Sequence, residues 1–121
     1  MPFLLPVLEK EYDQSSNLQI ADQTYTFRYK YNATEDAWYC YIGLVGETPK
    51  VKFKLVNGVD LLAPWQAYDE VPKGVLFIID QDAEYGRAGK DNFYTDGRFF
   101  LLFFQYGEDI SELVKLASEL V

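Results

Sequence analysis

Between residues 24 and 55 apolar and polar side chains alternate with a period of two. Tyr25, Phe27, Tyr29 and Tyr31 interleave with Thr24, Thr26, Arg28 and Lys30, the pattern of a strand with one buried face built from β-favouring residues. A polar stretch at 32–36 reads as a turn. Trp38, Cys40, Ile42 and Leu44 then alternate with Tyr39, Tyr41 and Gly43, and beyond Gly46 and Pro49 the inward set continues with Val51, Phe53 and Leu55 between Lys50, Lys52 and Lys54. Connectors this short predict an antiparallel three-stranded meander.

The second half follows a different rule. Residues 74–80 and 98–104, apolar throughout except for Asp80 at the end of the first and Arg98 at the start of the second, are runs of strand length, which read as strands buried on both faces. Asn57-Gly58 marks a turn, and the apolar stretch that follows to Trp65 is a loop or a short helical turn. Residues 81–97 form a long polar loop, the first place to look for contacts. At the end, Asp109-Ile110-Ser111-Glu112 has the spacing of a capping box. Ile110, Leu113, Val114, Ala117, Leu120 and Val121 then fall on one stripe of a predicted helix. The order of elements predicts a mainly β fold: a small, antiparallel, strongly curved sheet or partly open barrel of five to six strands with a C-terminal amphipathic helix. It is read as one domain, with an N-terminal arm over 1–17, a β domain over 18–106 and the helix over 107–121.

Composition narrows the chemistry. At 121 residues, 49% hydrophobic and 17% aromatic, the chain suits one domain with a substantial core. It contains no histidine and one cysteine, so histidine-dependent triads, typical zinc sites and an intrachain disulfide are excluded. The formal net charge is −8, unevenly spread. Residues 24–54 carry five basic and three acidic side chains, against five and twelve over 56–121. The acidic excess opposes general binding to nucleic acid or anionic membranes. The apolar N-terminus lacks a basic lead-in, is interrupted by Pro6 and runs into Glu9-Lys10-Glu11, unlike a signal peptide. No apolar run nears the ~20 residues of a membrane span, and a soluble, cytosolically made protein is expected.

Three clusters merit a chemical reading. On the meander, Thr24, Thr26, Arg28, Lys30, Tyr39, Tyr41, Lys50, Lys52 and Lys54 share one face. Rings flanked by cations are what a single-strand nucleic-acid platform uses, and the plainer reading is a solvated face on which lysines guard the edges. A third reading pairs this basic face with an acidic protein surface. Asp80, Asp82, Glu84 and Asp91 are closely spaced near Gly86 and Gly89, but Tyr85 stands where a calcium loop needs glycine; a solvated acidic loop is expected. Cys40 lies on the apolar side of its strand, as an inert core thiol does.

An ordered set of landmarks carries a family likeness. Tyr31-Asn32 precedes Trp38; Leu55-Val56-Asn57-Gly58-Val59-Asp60-Leu61-Leu62 follows; Pro72-Lys73-Gly74-Val75-Leu76 leads to Asp80; Gly86-Arg87 and Lys90-Asp91-Asn92-Phe93 close the set. Over roughly residues 18–106 the chain resembles the baseplate plug family of contractile-tailed phages, known from a cyanophage baseplate. The resemblance implies a structural virion protein at the centre of the tail baseplate, against hub and spike proteins and in several copies around the tail axis. It implies assembly in the host cytoplasm, no catalysis, no cofactor and no metal. Partner contacts are then expected from Trp65 and Tyr68, from Arg87 and Lys90, and from Leu113, Val114, Ala117 and Leu120 on the tail. Trp and Arg are the side chains most often found at interface hot spots. Trp65 also suits a core position, and the tail stripe also suits docking on its own domain. The competing function is a single-stranded nucleic-acid-binding β module using Arg28, Lys30, Tyr39, Tyr41, Lys52 and Lys54.

Overall fold

A computed structural model describes residues 3–20, 22–81, 88–95 and 97–105. Seven strands follow in order: β1 (Phe3–Leu4), β2 (Asp13–Ile20), β3 (Gln23–Asn32), β4 (Ala37–Leu44), β5 (Val51–Lys54), β6 (Gly74–Asp80) and β7 (Phe99–Gln105). A 3-10 turn at Ala63–Trp65 interrupts the stretch between β5 and β6. They form two antiparallel sheets, one ordered β2-β3-β4-β5 and the other β1-β7-β6.

The meander is as the alternation predicts. Tyr25, Phe27 and Tyr29 of β3, Trp38, Cys40 and Ile42 of β4, and Val51 of β5 all turn inward and are buried. Two local features fix the connections. At the β3–β4 turn, Asn32 Oδ1 accepts from the Glu35 amide at 3.1 Å, and Asp36 adopts φ 50°, a left-handed conformation that a short polar side chain tolerates. At the β4–β5 turn, the Glu47 amide donates to Leu44 O at 3.1 Å. Gly46 there has φ 85°, which glycine reaches without Cβ strain.

The expected mainly β, antiparallel fold is present, but the single curved sheet or partly open barrel of five to six strands is corrected: among the described residues there are seven strands in two sheets and no closed barrel. The meander does not continue into the apolar runs. Instead the stretch after β5 carries the chain to a second sheet, where β6 and β7 pair over their full seven residues. β1 joins from the other end of the chain, placing Phe3 opposite Phe103 and Leu4 opposite Leu102. One core is shared between the sheets: Phe27, Tyr29, Trp38 and Ile42 from the first meet Leu76, Ile78, Phe99, Leu101 and Phe103 from the second, with Leu5 and Val7 beside them. The expected C-terminal helix lies outside the described residues.

Candidate interaction surfaces

Register builds the basic face row by row. Arg28 stands opposite Tyr41, which stands opposite Lys52; Lys30 stands opposite Tyr39, which stands opposite Lys54. Lys52 Nζ lies 5.0 Å from the centroid of Tyr39 and 5.5 Å from that of Tyr41, and Arg28 Cζ lies 5.7 Å from the Tyr41 centroid. These are cation–π distances. Arg28 also donates two hydrogen bonds to Asp13, at 2.8 and 2.6 Å. They hold the Asp13 carboxyl below its ordinary pKa. Tyr39 donates to Glu35 at 2.6 Å, and that bond to a carboxylate raises the phenol's pKa. Lys50, grouped with this face in the sequence, instead precedes β5 and pairs with Glu70 at 3.2 Å. The rings a nucleobase would stack on are thus occupied by the protein's own cations, and the arginine is already paired with a carboxylate.

A second region gathers where residues 88–95 cross the end of the meander. Trp38 Nε1 donates to Gly89 O at 2.6 Å, and the Gly89 amide donates to Asn92 Oδ1 at 2.6 Å. Phe93 is buried 5.2 Å from the Trp38 ring centroid and 6.0 Å from that of Tyr29. Tyr12 donates to Asp91 at 2.6 Å, which raises the Tyr12 pKa, and Lys90 Nζ lies 5.3 Å over the Tyr12 ring. Thr95 Oγ1 and Val7 exchange two hydrogen bonds, at 2.7 and 3.0 Å. The loop expected to carry contacts is therefore pinned, over its described part, by a buried ring and by the N-terminal segment.

The third region is the turn before β6. Trp65 is half-buried against the core and meets Tyr68 edge-on at 5.6 Å; Tyr68 is 43% exposed. Lys73 Nζ donates to the carbonyls of Gln66 and Tyr68, and Gln66 Nε2 reaches Pro72 O and Gly74 O, each at 3.2 Å. Asp60 Oδ1 accepts from the amides of Leu62 and Leu76, both at 3.1 Å, tying the turn to β6.

Of the sequence-predicted contact residues, the structure thus places Trp65 and Tyr68 together on one turn and Lys90 on another loop. Arg87, Leu113, Val114, Ala117 and Leu120 lie outside the described residues. The carboxylates considered for calcium have other partners where they are described. Asp80 takes two bonds from Arg98, at 2.9 and 3.2 Å, and Asp91 takes Tyr12. Among the described residues no group of three or more His, Cys, Asp or Glu side chains is placed to hold a metal ion. Cys40 is fully buried, and desolvation pushes its thiol pKa far up, as for an inert core thiol. Sequence reasoning missed Tyr12, whose only signal was its parity with Gln14, Ser16, Leu18 and Ile20.

The family landmarks fall on these same ties. Asp60 joins the turn to β6, Asp80 pairs with Arg98, Trp38 holds Gly89, and Asn92 and Phe93 fasten the loop. No curated protein matches the chain. The family model described as cyanophage baseplate Pam3 plug gp18 matches residues 3–106, a span that contains all seven strands, and the chain belongs to that family.

Proposed function

We propose that the protein closes or bridges the centre of a contractile-tail baseplate, seated against hub and spike proteins in several copies around the tail axis. In this reading it acts as an architectural part, without catalysis. The observation that carries it is the family match across the whole described fold, since the matched residues are those that lock two sheets, a turn and a loop into one body. That body suits a part that must keep its shape under load while presenting side chains at its margins. Tyr68, backed by Trp65, supplies an exposed ring on a braced turn. Lys90, with Arg87 in the neighbouring stretch, supplies cations on the loop.

Isolated tail particles test this. Tagged protein should co-sediment with tails and be seen by electron microscopy on the axis of the baseplate. The double substitution Tyr68→Ala with Lys90→Glu should reduce incorporation while leaving the purified protein folded. Protein recovered from the tube or sheath, or only as free subunit, would refute the reading.

Affinity for a labelled single-stranded oligonucleotide separates the competing function. Occupied rings and a charge of −8 predict no salt-sensitive binding at micromolar concentration. Such binding, lost in Lys52→Glu, would favour the nucleic-acid module.

A further inference from the structure

The outer face of the three-stranded sheet is apolar throughout. Alternation along β6 sends Leu76 and Ile78 into the core and turns Val75, Phe77 and Ile79 the other way. Along β7 it sends Leu101 and Phe103 inward and Phe100, Leu102 and Phe104 outward. Register sets Val75 against Phe104, Phe77 against Leu102 and Ile79 against Phe100. An antiparallel sheet with one solvated face carries polar residues there, whereas strands apolar on both faces belong between two layers. Ile79 and Phe104 are 7% and 1% exposed, yet neither belongs to the core cluster between the sheets. The other four are half-buried.

We propose that this face is covered by the chain's own residues 109–121, folded as an amphipathic helix. β7 ends at Gln105 on this very sheet, leaving residues 106–108, with Gly107 among them, as a connection of ordinary length between a strand and a helix. At about 1.5 Å per residue the 13 residues of the predicted helix reach about 20 Å. A seven-residue strand spans about 23 Å, so the helix matches the length of the face it returns along. Its stripe of Leu113, Val114, Ala117 and Leu120 is apolar where the sheet is apolar. A helix this short is marginal without such packing, and a helix layer on a sheet is a standard way to bury both. This places the four tail residues on their own sheet, whereas their spacing alone left them equally available to a neighbour.

Nuclear Overhauser spectroscopy on the uniformly labelled full chain tests the proposal without altering it. Methyl groups of Leu113, Val114 and Leu120 should show cross-peaks to ring protons of Phe77, Phe100 and Phe104 within one molecule. Tail methyls at random-coil shifts with no such cross-peaks would overturn it, as would cross-peaks seen only between differently labelled chains, which would make a second copy the cover. In the full-length double substitution Leu113→Asp with Val114→Asp, the cross-peaks should vanish, the unfolding temperature should fall, and the fluorescence of a dye that binds exposed apolar surface should rise several-fold. A folded variant with unchanged dye response and unfolding temperature would also refute it. If the variant fails to fold, the cross-peaks of the unaltered chain decide.

Discussion

On the outer face of the four-stranded sheet, Arg28, Tyr41 and Lys52 stand in one row and Lys30, Tyr39 and Lys54 in the next. At the corresponding place on the three-stranded sheet stand Phe77 beside Leu102 and Ile79 beside Phe100. The first face meets water with Arg28 paired to Asp13, Lys52 over the tyrosine rings, and Lys30 and Lys54 exposed. With Val75 beside Phe104 completing the set, the second has no polar side chain among six positions and requires a cover. Both inner faces contribute to one core, although β2 turns Gln14 and Ser16 inward before Leu18 and Ile20. The main difference between the sheets therefore lies in what each needs on its other side. It separates a surface whose polar groups face water from one that, on the proposal above, a further segment completes.

The largest expected effect comes from the residue that joins the first sheet to the loop. Trp38→Ala removes a fully buried ring and leaves Gly89 O without its indole donor. A loss of about 3–5 kcal/mol is expected, a large part of the about 5–15 kcal/mol that holds a domain folded. Urea unfolding measures it. A loss below about 1 kcal/mol would mean that the loop and the four-stranded sheet are not one unit.

The counterpart in the second sheet is Gly74. A Cβ there would lie 2.2 Å from Phe104 O and 2.5 Å from the Phe103 ring, so the two strands approach too closely for any side chain. Gly74→Ala should cost at least about 1–3 kcal/mol through overpacking. Because the first clash is with backbone, the β6–β7 pair must separate, and amide exchange should accelerate along residues 74–80 and 99–105 more than along β3 and β4. Uniform acceleration would show the two sheets unfolding as one and would weaken the contrast between them.

The same contrast governs how much of the fold was legible. β3, β4 and β5 follow directly from strict alternation of large apolar and polar side chains. β2 pairs with β3 over eight residues, Asp13 opposite Lys30 through Ile20 opposite Gln23. Its inward positions, however, begin with Gln14 and Ser16, so the apolar signal appears only at Leu18 and Ile20. β6 and β7 are visible as strands, but a run apolar on both faces does not disclose which side meets the core or that the strands form a separate sheet. β1 could not be read locally at all, since its pairing with β7 spans almost the entire chain. The candidate surfaces divide likewise. The rows of the basic face were readable because register follows from short turns, whereas the approach of Lys90 to Tyr12 depends on tertiary packing across the chain.

A gain is expected at Tyr29. Its ring is fully buried and edge-on to Phe93 at 6.0 Å, and its hydroxyl has no hydrogen-bond partner among the described residues. Burial raises the phenol's pKa well above its ordinary value. Removing an unpaired buried hydroxyl while keeping the ring should leave stability unchanged or raise it by up to about 1 kcal/mol. Tyr29→Phe tests this by urea unfolding, and a clear loss would show that the hydroxyl is satisfied in solution.

The smallest effect is the most specific to the claim that the first sheet's outer face is finished by itself. Asp13 and Arg28 are both well exposed, with side-chain accessibilities of 47% and 42%, so solvent screening keeps their pair weak. Its signature is in the pH dependence. Hydrogen bonds from Arg28 lower the Asp13 pKa in the folded state, below the about 3.9 of an unfolded aspartate. The folded protein therefore binds the proton less readily than the unfolded chain. The pair's stabilisation is fully present above the unfolded value and is lost as pH falls through the lower, folded one. In Arg28→Ala, the small deficit relative to the unaltered protein should accordingly be constant from pH 7 to 5, shrink below about pH 4, and diminish at high salt. Urea midpoints across that range measure it. A deficit that persists undiminished at low pH would assign the contribution of Arg28 to its packing over Tyr41 instead of its pairing with Asp13, because stacking of an always-charged guanidinium on a neutral ring does not titrate there.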